Sequence, residues 1–303
     1  MNALVTGAGG FVGRHLVAHL HAGGDEVRTF DRESTPSLDV TDPGAVEDAV
    51  TSIKPDVIYH LAALSHVGES WDAPVRVLRV NIEGTLHVLR AAQAAGGARV
   101  VVIGSADEYG AVDEHDLPLR ETAPLRPLTP YGVSKVAADY LALQAFLAEG
   151  LATIRVRAFN HIGPGQEPRF LLPGLAQRIA EAERDGRDEI VVGNLDAIRD
   201  FTDVRDVVAA YRLLAERGAP GEAYNVCTGH GLAVSEIAAR LLARSDRPLR
   251  LTVDPTLVRA IEVPQLVGDC TKLQRATGWT RAIDLDATLD DVLEEARARV
   301  RAT

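Results

Sequence analysis

The sequence predicts an α/β protein built on a parallel sheet with helices packed on both faces. Three observations carry that expectation. Short apolar strands alternate with longer helix-periodic stretches through the first half of the chain. The first strand ends in regularly spaced glycines that open a helix. The strongest later strand, Arg99 to Gly104 (RVVVIG), is apolar throughout, as a strand covered on both faces must be.

Leu4-Val5-Thr6 forms the first strand. Gly7, Gly10 and Gly13 follow at intervals of three, and Phe11, Val12, Leu16, Val17 and Leu20 give the next segment an apolar stripe at helical spacing. Gly7 permits a tight turn, Gly10 lets the backbone approach a pyrophosphate, and Gly13 lets helix and strand pack closely. The free N–H groups at the start of the helix then face the phosphates. Phe11 and Val12 belong to the same cofactor loop. This is the signature of a Rossmann-like, doubly wound sheet that binds a dinucleotide. Glu26 to Phe30 is the second strand, and Asp31 closes it. An acid there accepts the adenosine ribose hydroxyls and favours NAD(H), with NADP(H) open because the adjoining Arg32 could hold a 2′-phosphate.

Pro43 to Ile53 reads as a helix with Asp42 as its cap and Pro43 at its first position. Val57 to His60 is the third strand and runs into Leu61-Ala62-Ala63. Pro74 to Ala95 is one long helix closed by Gly96-Gly97, and Arg99 to Gly104 is the fourth strand. A loop carrying Pro118, Pro124, Pro127 and Pro130 leads to a helix from Tyr131 to Glu149, then to a strand from Ala152 to Val156. After Phe159 the rhythm changes. A loop at Asn160 to Gly165, a helix at Leu171 to Ala182, a strand at Glu189 to Val192 and a loop at Asn194 to Phe201 are expected. A helix at Val204 to Glu216, a strand at Ala223 to Cys227 and amphipathic helices at Val234 to Ala243 and Asp286 to Val300 complete the chain. The expected division is a dinucleotide-binding domain of residues 1–158, to which 194–227 return. A smaller, interleaved C-terminal α/β substrate domain takes 159–193 and 228–303.

The chain has 303 residues, and its 43 acids against 32 Lys and Arg leave a net charge of −11. Nucleic acid and anionic membrane surfaces are poor partners for such a surface, while an anionic small molecule needs only a local arginine cluster. Cys227 and Cys270 show no metal-ligand spacing and read as buried thiols; no metal is expected. No apolar run reaches membrane-spanning length, and the chain opens on a strand rather than a secretion signal, so a cytoplasmic protein is expected.

Ligands of such sheets sit beyond the carboxyl ends of the strands, which puts Ser105 in reach. Tyr131 and Lys135 lie one helical turn apart and share a face. A free phenol ionises too weakly to serve at neutral pH, and a lysine ammonium nearby is expected to lower its pKa. Tyr131 then exchanges a proton with a substrate oxygen that Ser105 also holds, while a nicotinamide handles the hydride.

The chain resembles, over nearly its whole length, the extended short-chain dehydrogenases/reductases that act on nucleotide sugars. TGAGGFVG (Thr6 to Gly13), Asp39-Val40, HLAALS (His60 to Ser65), NIEGT (Asn81 to Thr85) and PLTPYGVSK (Pro127 to Lys135) are similar to that family's motifs. The resemblance implies cofactor contacts at Asp39, Val40, Leu61, Ala62, Ala63, Asn81, Tyr131 and Lys135, and a sugar contact at Ser65. Within the family, GSADEYG (Gly104 to Gly110), FNHIGPGQ (Phe159 to Gln166), GNLDAIRDFTDVRD (Gly193 to Asp206) and YNVCTG (Tyr224 to Gly229) resemble the reductases of GDP-4-keto-6-deoxy-D-mannose, which form GDP-D-rhamnose. The same resemblance implies that Asn160 and Arg199 meet the substrate, that Arg199 and Arg259 lie near its diphosphate, and that Glu262 holds the nucleotide ribose. Ser105, Ala106 and Asp107 would line the sugar site, with Asp107 counted beside Ser105, Tyr131 and Lys135 as a catalytic candidate. The similar 4,6-dehydratases place a Glu at the position of Asp107 as the base for the sugar's C5 proton, and some add an Asp at that of Ala106. The implied function is NAD(P)H-dependent reduction of a C4 ketone by a homodimer joined through the helices at Pro74 to Ala95 and Tyr131 to Glu149. A 4,6-dehydratase or 4-epimerase on the same fold, and a non-catalytic dinucleotide sensor, are the alternatives.

Overall fold

The computed structural model describes residues 1–32, 37–254, 257 and 263–302. Its first strand, β1 (Asn2–Thr6), is the second strand from one edge of a six-stranded sheet. β2 (Glu26–Phe30) flanks it on one side, and β3 (Val57–His60), β4 (Arg99–Ile103), β5 (Thr153–Ala158) and β9 (Ala223–Val226) follow on the other, all parallel. The chain leaves β1 toward one edge and returns to build toward the other. That reversal creates the crevice in which sheets of this kind bind their ligands.

Successive residues of β1 face opposite layers, as the pleat demands. Ala3 and Val5 pack with Leu16 and Leu20 of α1 (Phe11–Ala22) and with Val207, Tyr211 and Leu214 of α8 (Val204–Arg217). Leu4 faces the other way, onto Val46 and Val50 of α2 (Pro43–Ile53), Val88 of α5 (Gly84–Ala94) and Ala138 and Ala142 of α6 (Pro130–Glu149). Both layers are therefore closed, and the strand ends are left to carry the chemistry. Asp42 caps α2 by accepting the Ala45 N–H at 3.1 Å, as its sequence position suggests.

The expected helix from Pro74 to Ala95 is not continuous. α4 (Pro74–Leu78) passes through a π-helical turn at Arg79–Glu83 before α5 begins. A short helix, α3 (Glu69–Asp72), precedes it.

Beyond β5 the expected loops are partly strands. β6 (Asn160–Ile162) and β8 (Ile198–Asp203) pair in parallel, and β10 (Gly231–Ala233) and β12 (Gln265–Leu266) complete a second, four-stranded sheet. β7 (Glu189–Val192) pairs with β11 (Arg250–Val253). Of residues 194–227, β8 thus lies in the small sheet, while α8 and β9 belong to the large one. A separate core joins α7 (Leu171–Asp185), α9 (Val234–Leu242) and α11 (Leu285–Arg301) through Ile179, Ile237, Leu289 and Leu293. α10 (Thr271–Thr277) follows β12. Cys227 and Cys270, distant in sequence, are both buried and meet through their thiols, in reduced form. Among the described residues, no helix is long and apolar enough to cross a membrane.

Candidate active site

The carboxyl ends of β1, β3, β4 and β5 open onto one cleft of about 1110 Å³. That is at or above the upper end of single small-molecule sites, which run from roughly 300 to 1,000 Å³. One wall comes from the large sheet and the other from α7 and the small sheet.

The glycine turn after β1 forms one end. Gly7 holds a φ of +72°, in the left-handed region, and a Cβ there would lie 2.7 Å from the Ala62 amide nitrogen. A Cβ on Gly13 would collide with the Gly7 carbonyl and lie 2.7 Å from the Ala8 Cα. α1 begins at Gly10 with no side chain capping its free N–H groups. Loop and helix thus form a cradle that only bare backbone leaves open, with unclaimed donors aimed at it. A dinucleotide pyrophosphate fits that donor set. Phe11, Val12, Leu61, Ala62 and Ala63 also line the cleft, with Val40 beside them.

Asp31 stands at the tip of β2, where its Oδ2 accepts the Gly9 N–H at 3.2 Å; Arg32 beside it is exposed. Asp39 lines the cleft too, and its Oδ1 accepts both the N–H and the hydroxyl of Thr41, at 2.9 and 2.8 Å. Those bonds hold its carboxyl below the usual range.

Asn81 is placed differently from the expectation. It is buried in the π-helical turn and does not line the cleft. Its Oδ1 accepts the Leu64 N–H at 2.8 Å, and its Nδ2 donates to the Leu64 carbonyl at 3.1 Å and the Ser134 hydroxyl at 2.9 Å. Its polar atoms are spent on fixing the strip Leu61 to Leu64, so any effect on a cofactor is indirect. His60 beneath that strip is likewise enclosed, between the hydroxyls of Thr6 (2.9 Å) and Thr85 (3.1 Å). Burial, and then the charge of Lys135, pull its pKa down to about 3, so the ring is neutral.

Ser105, Tyr131 and Lys135 converge on the cleft floor. Ser105 caps a 3-10 turn (Ala106–Glu108): its Oγ accepts the Asp107 N–H at 3.1 Å and donates to Asp107 Oδ2 at 3.0 Å. Tyr131 and Lys135 sit in the first turns of α6, whose cap is Thr129. The Lys135 Nζ lies 5.9 Å from the Tyr131 ring centre and donates to the Ile103 carbonyl at 2.7 Å. Here the expected electrostatics are corrected. Burial first, then the Asp107 carboxylate, push the Tyr131 phenol above its ordinary value, with the Ser105 hydroxyl acting the other way. Lys135 is not among the causes acting on the phenol, and burial lowers the lysine itself to about 8. In the protein alone Tyr131 is a firmly protonated phenol.

The neighbouring acids divide. Asp107 is half-buried at the cleft; Glu108 is fully buried behind it, its Oε1 accepting the Ser105 N–H at 2.9 Å. The segment is a helical turn, not an extended one, yet the two side chains still part. Ala106 is buried and supplies no polar group.

At the far end of the cleft, Ser65 and Asn160 are exposed and Arg199 is half-buried, its Nη1 donating to the Ile198 carbonyl at 2.9 Å. Arg259 and Glu262 lie outside the described residues. Several lining residues were not foreseen, among them His161 and Arg178. His161 stacks on Phe11 with ring centres 6.1 Å apart. Arg178 of α7 donates to the carbonyls of Gly174 (3.0 Å) and Val191 (2.6 Å) and is lowered from its usual pKa by burial.

The family profile described as GDP-mannose 4,6 dehydratase matches residues 4–292. The GDP-6-deoxy-D-mannose reductase of Pseudomonas aeruginosa is 36% identical over 299 residues, covering 98% of this chain and 97% of the relative. The GDP-6-deoxy-D-talose 4-dehydrogenase of Aggregatibacter actinomycetemcomitans is 31% identical and covers 92% of each. The solved structure of RMD from Pseudomonas aeruginosa, complexed with NADPH, superposes with a TM-score of 0.90 at 34% identity, covering 99% of this chain and 100% of that one.

Proposed function

The chain belongs to the GDP-mannose 4,6 dehydratase family of nucleotide-sugar enzymes, and we propose that within it the protein is a reductase. It reduces the C4 ketone of a nucleotide-bound 4-keto-6-deoxyhexose, in the first instance GDP-4-keto-6-deoxy-D-mannose to GDP-D-rhamnose. The observation that carries this reading is the cleft floor, where Tyr131 is a protonated donor and Ala106 stands at the position where some of the similar dehydratases carry an acid.

The glycine turn would hold the pyrophosphate of a reduced dinucleotide, whose nicotinamide would supply the hydride for C4. Tyr131 gives its phenolic proton to O4, and the Ser105 hydroxyl bonds the same oxygen, so the ketone becomes a secondary alcohol. The phenol is protonated at neutral pH, the state a proton donor needs. Lys135 places a positive charge under the phenol when the proton leaves. Dehydration asks for more: a base at the sugar's C5 and an acid for the departing C6 hydroxyl. Asp107 is one methylene shorter than the dehydratases' Glu and is engaged by Ser105, and Ala106 has no proton to give. Arg199, with Arg259 and Glu262, is assigned to the nucleotide diphosphate and ribose, and Ser65 and Asn160 to the sugar.

The dinucleotide unit comprises the large sheet and its helices; the nucleotide-sugar unit comprises the small sheet with α7, α9 and α11. A homodimer through α4–α5 and α6 is part of the proposal, since Trp71, Val75, Tyr140 and Leu147 expose large apolar side chains on α3, α4 and α6. Cytoplasmic placement fits the reduced thiols. The discriminating experiment offers the protein two substrates. GDP-4-keto-6-deoxy-D-mannose should consume reduced cofactor mole for mole. Efficient formation of a 4-keto product from GDP-mannose with catalytic cofactor would overturn the reductase reading in favour of a dehydratase.

A further inference from the structure

α7 is buried along one side only. Leu172, Leu175, Ala176 and Ile179 enter the core shared with α9 and α11. Gly174, Gln177, Arg178 and Glu181, three and four residues apart, share the side that lines the cleft. That side carries both signs of charge. The Arg178 guanidinium rests on two main-chain carbonyls, Gly174 through Nε at 3.0 Å and Val191 through Nη1 at 2.6 Å. Neither bond uses Nη2. The Glu181 carboxylate, one turn on, is steadied by the Gln177 amide at 3.1 Å and by Arg187 at 3.9 Å, and Arg299 holds the Gln177 carbonyl at 3.3 Å.

The main chain opposite is bare. Arg178 reaches Val191 of β7, and that strand runs into Gly193 and Asn194 of the cleft lining. A Cβ on Gly193 would lie 2.7 Å from the Leu257 carbonyl oxygen, so the glycine lets the Leu257 segment close in. Leu257 lines the cleft with 53% of its surface open.

A phosphate here would meet the Glu181 carboxylate as well as Arg178, and like charges repel. The pair suits instead a neutral flat ring with acceptors on one edge and donors on the next. Guanine is such a ring: O6 and N7 accept, and N1–H and the 2-amino group donate. An arginine fork matches the first edge and a carboxylate, which only accepts, the second. Uracil has a single N–H and no amino group.

We propose that Arg178 and Glu181 determine the base specificity of this enzyme, Arg178 donating to O6 and N7 of a guanine and Glu181 accepting from its N1–H and 2-amino group, with Leu257 against the ring. The inference rests on the nucleotide-sugar reading above, and is independent of whether the sugar is reduced.

Calorimetric titration with free nucleoside diphosphates tests it without turnover. The protein is first saturated with oxidised dinucleotide, which keeps them out of the cofactor site. GDP should bind about tenfold more tightly than inosine diphosphate, which lacks the 2-amino group, and more tightly still than UDP. Arg178→Met should weaken GDP about tenfold and UDP little, so the GDP-to-UDP ratio falls. Glu181→Ala should bring the ratio of GDP to inosine diphosphate close to one. Each readout compares nucleotides in one protein, so a weakened fold, which lowers all three affinities alike, does not imitate it. Arg178→Lys keeps the charge without the fork and repeats the measurement if the methionine variant does not fold. Unchanged ratios in the variants, or a parent that binds the three nucleotides alike, overturn the inference. Guanine selectivity that these substitutions abolish, in a protein that reduces no keto-sugar, supports the inference and counts against the reductase reading instead. Reduction of the GDP-linked keto-sugar with unaltered ratios does the reverse.

Discussion

Gly13→Ala adds one methyl group at the junction between the cofactor turn and the first helix. Its Cβ would stand 2.7 Å from the Ala8 Cα, where carbon atoms in contact keep about 3.5–4.0 Å. The start of α1 must therefore withdraw by about 1 Å. The helix resists, because Leu16 and Leu20 are fully enclosed against the sheet. Arg14 further ties it to the carbonyls of Gly9 (2.6 Å) and Gly165 (3.0 Å), and His15 to that of Pro164 (2.7 Å). Overpacking of this kind costs about 1–3 kcal/mol, which at about 2–4 °C per kcal/mol lowers the melting temperature by several degrees. The donors for the pyrophosphate move with the helix, so affinity for the reduced cofactor should fall about tenfold or more, at about 1.4 kcal/mol per decade. Calorimetry gives the first quantity and a cofactor fluorescence titration the second. Gly44→Ala is the control: its Cβ meets only the Asp42 carboxylate, at 3.5 Å, so cofactor affinity should not change. Parent-like cofactor affinity in Gly13→Ala would refute the close-packed cradle.

Three further outcomes are expected. Tyr131→Phe should bind cofactor as the parent does and lose about 10²–10⁴ in kcat, the usual contribution of general acid catalysis; steady-state turnover near the parent rate would remove Tyr131 from the reaction. NADH should be used with a higher kcat/KM than NADPH, since the Asp31 carboxylate beside Gly9 repels a 2′-phosphate; a clear NADPH preference would hand that pocket to Arg32. His60 should make the fold acid-sensitive. Its pKa is about 6.5 unfolded and about 3 folded, so the unfolded chain takes up the proton first and stability falls as pH drops below about 6.5. Between pH 7 and pH 5 this one group costs about 2 kcal/mol, visible as an unfolding free energy that declines less in His60→Asn than in the parent.

The first half of the fold was legible because β1, β3, β4 and β5 are buried on both faces and its helices carry one apolar stripe. β4 and α1 announce themselves in the residues. β8 does not. Its sequence, IRDFTD, is polar, yet Asp200 and Asp203 are buried, and each carboxylate is fully engaged. Asp200 accepts from Thr228 and Gly229, and Asp203 from Arg205 and Thr288. A strand whose inside is hydrogen-bonded rather than greasy has no hydropathic alternation to read. Asn81 shows the same limit at the site. Its motif could be recognised, but only the π-helical turn reveals that its side chain serves Leu64 and Ser134. The spacing of Tyr131 and Lys135 established that they meet. Their protonation depended on burial and on Asp107 and Glu108, which no spacing rule reports.

The central claim is that this cleft delivers a hydride to a sugar ketone and a proton from Tyr131. It is tested most directly by isotope transfer. The protein is mixed with GDP-4-keto-6-deoxy-D-mannose and a cofactor carrying deuterium at the transferable position of the nicotinamide, and the sugar is analysed after one turnover. The account predicts one deuterium at C4 of a 6-deoxyhexose product, with the cofactor left oxidised in equal amount, and loss of that transfer in Tyr131→Phe. A cofactor that keeps its deuterium and returns unoxidised, with the keto-sugar unchanged, would contradict it.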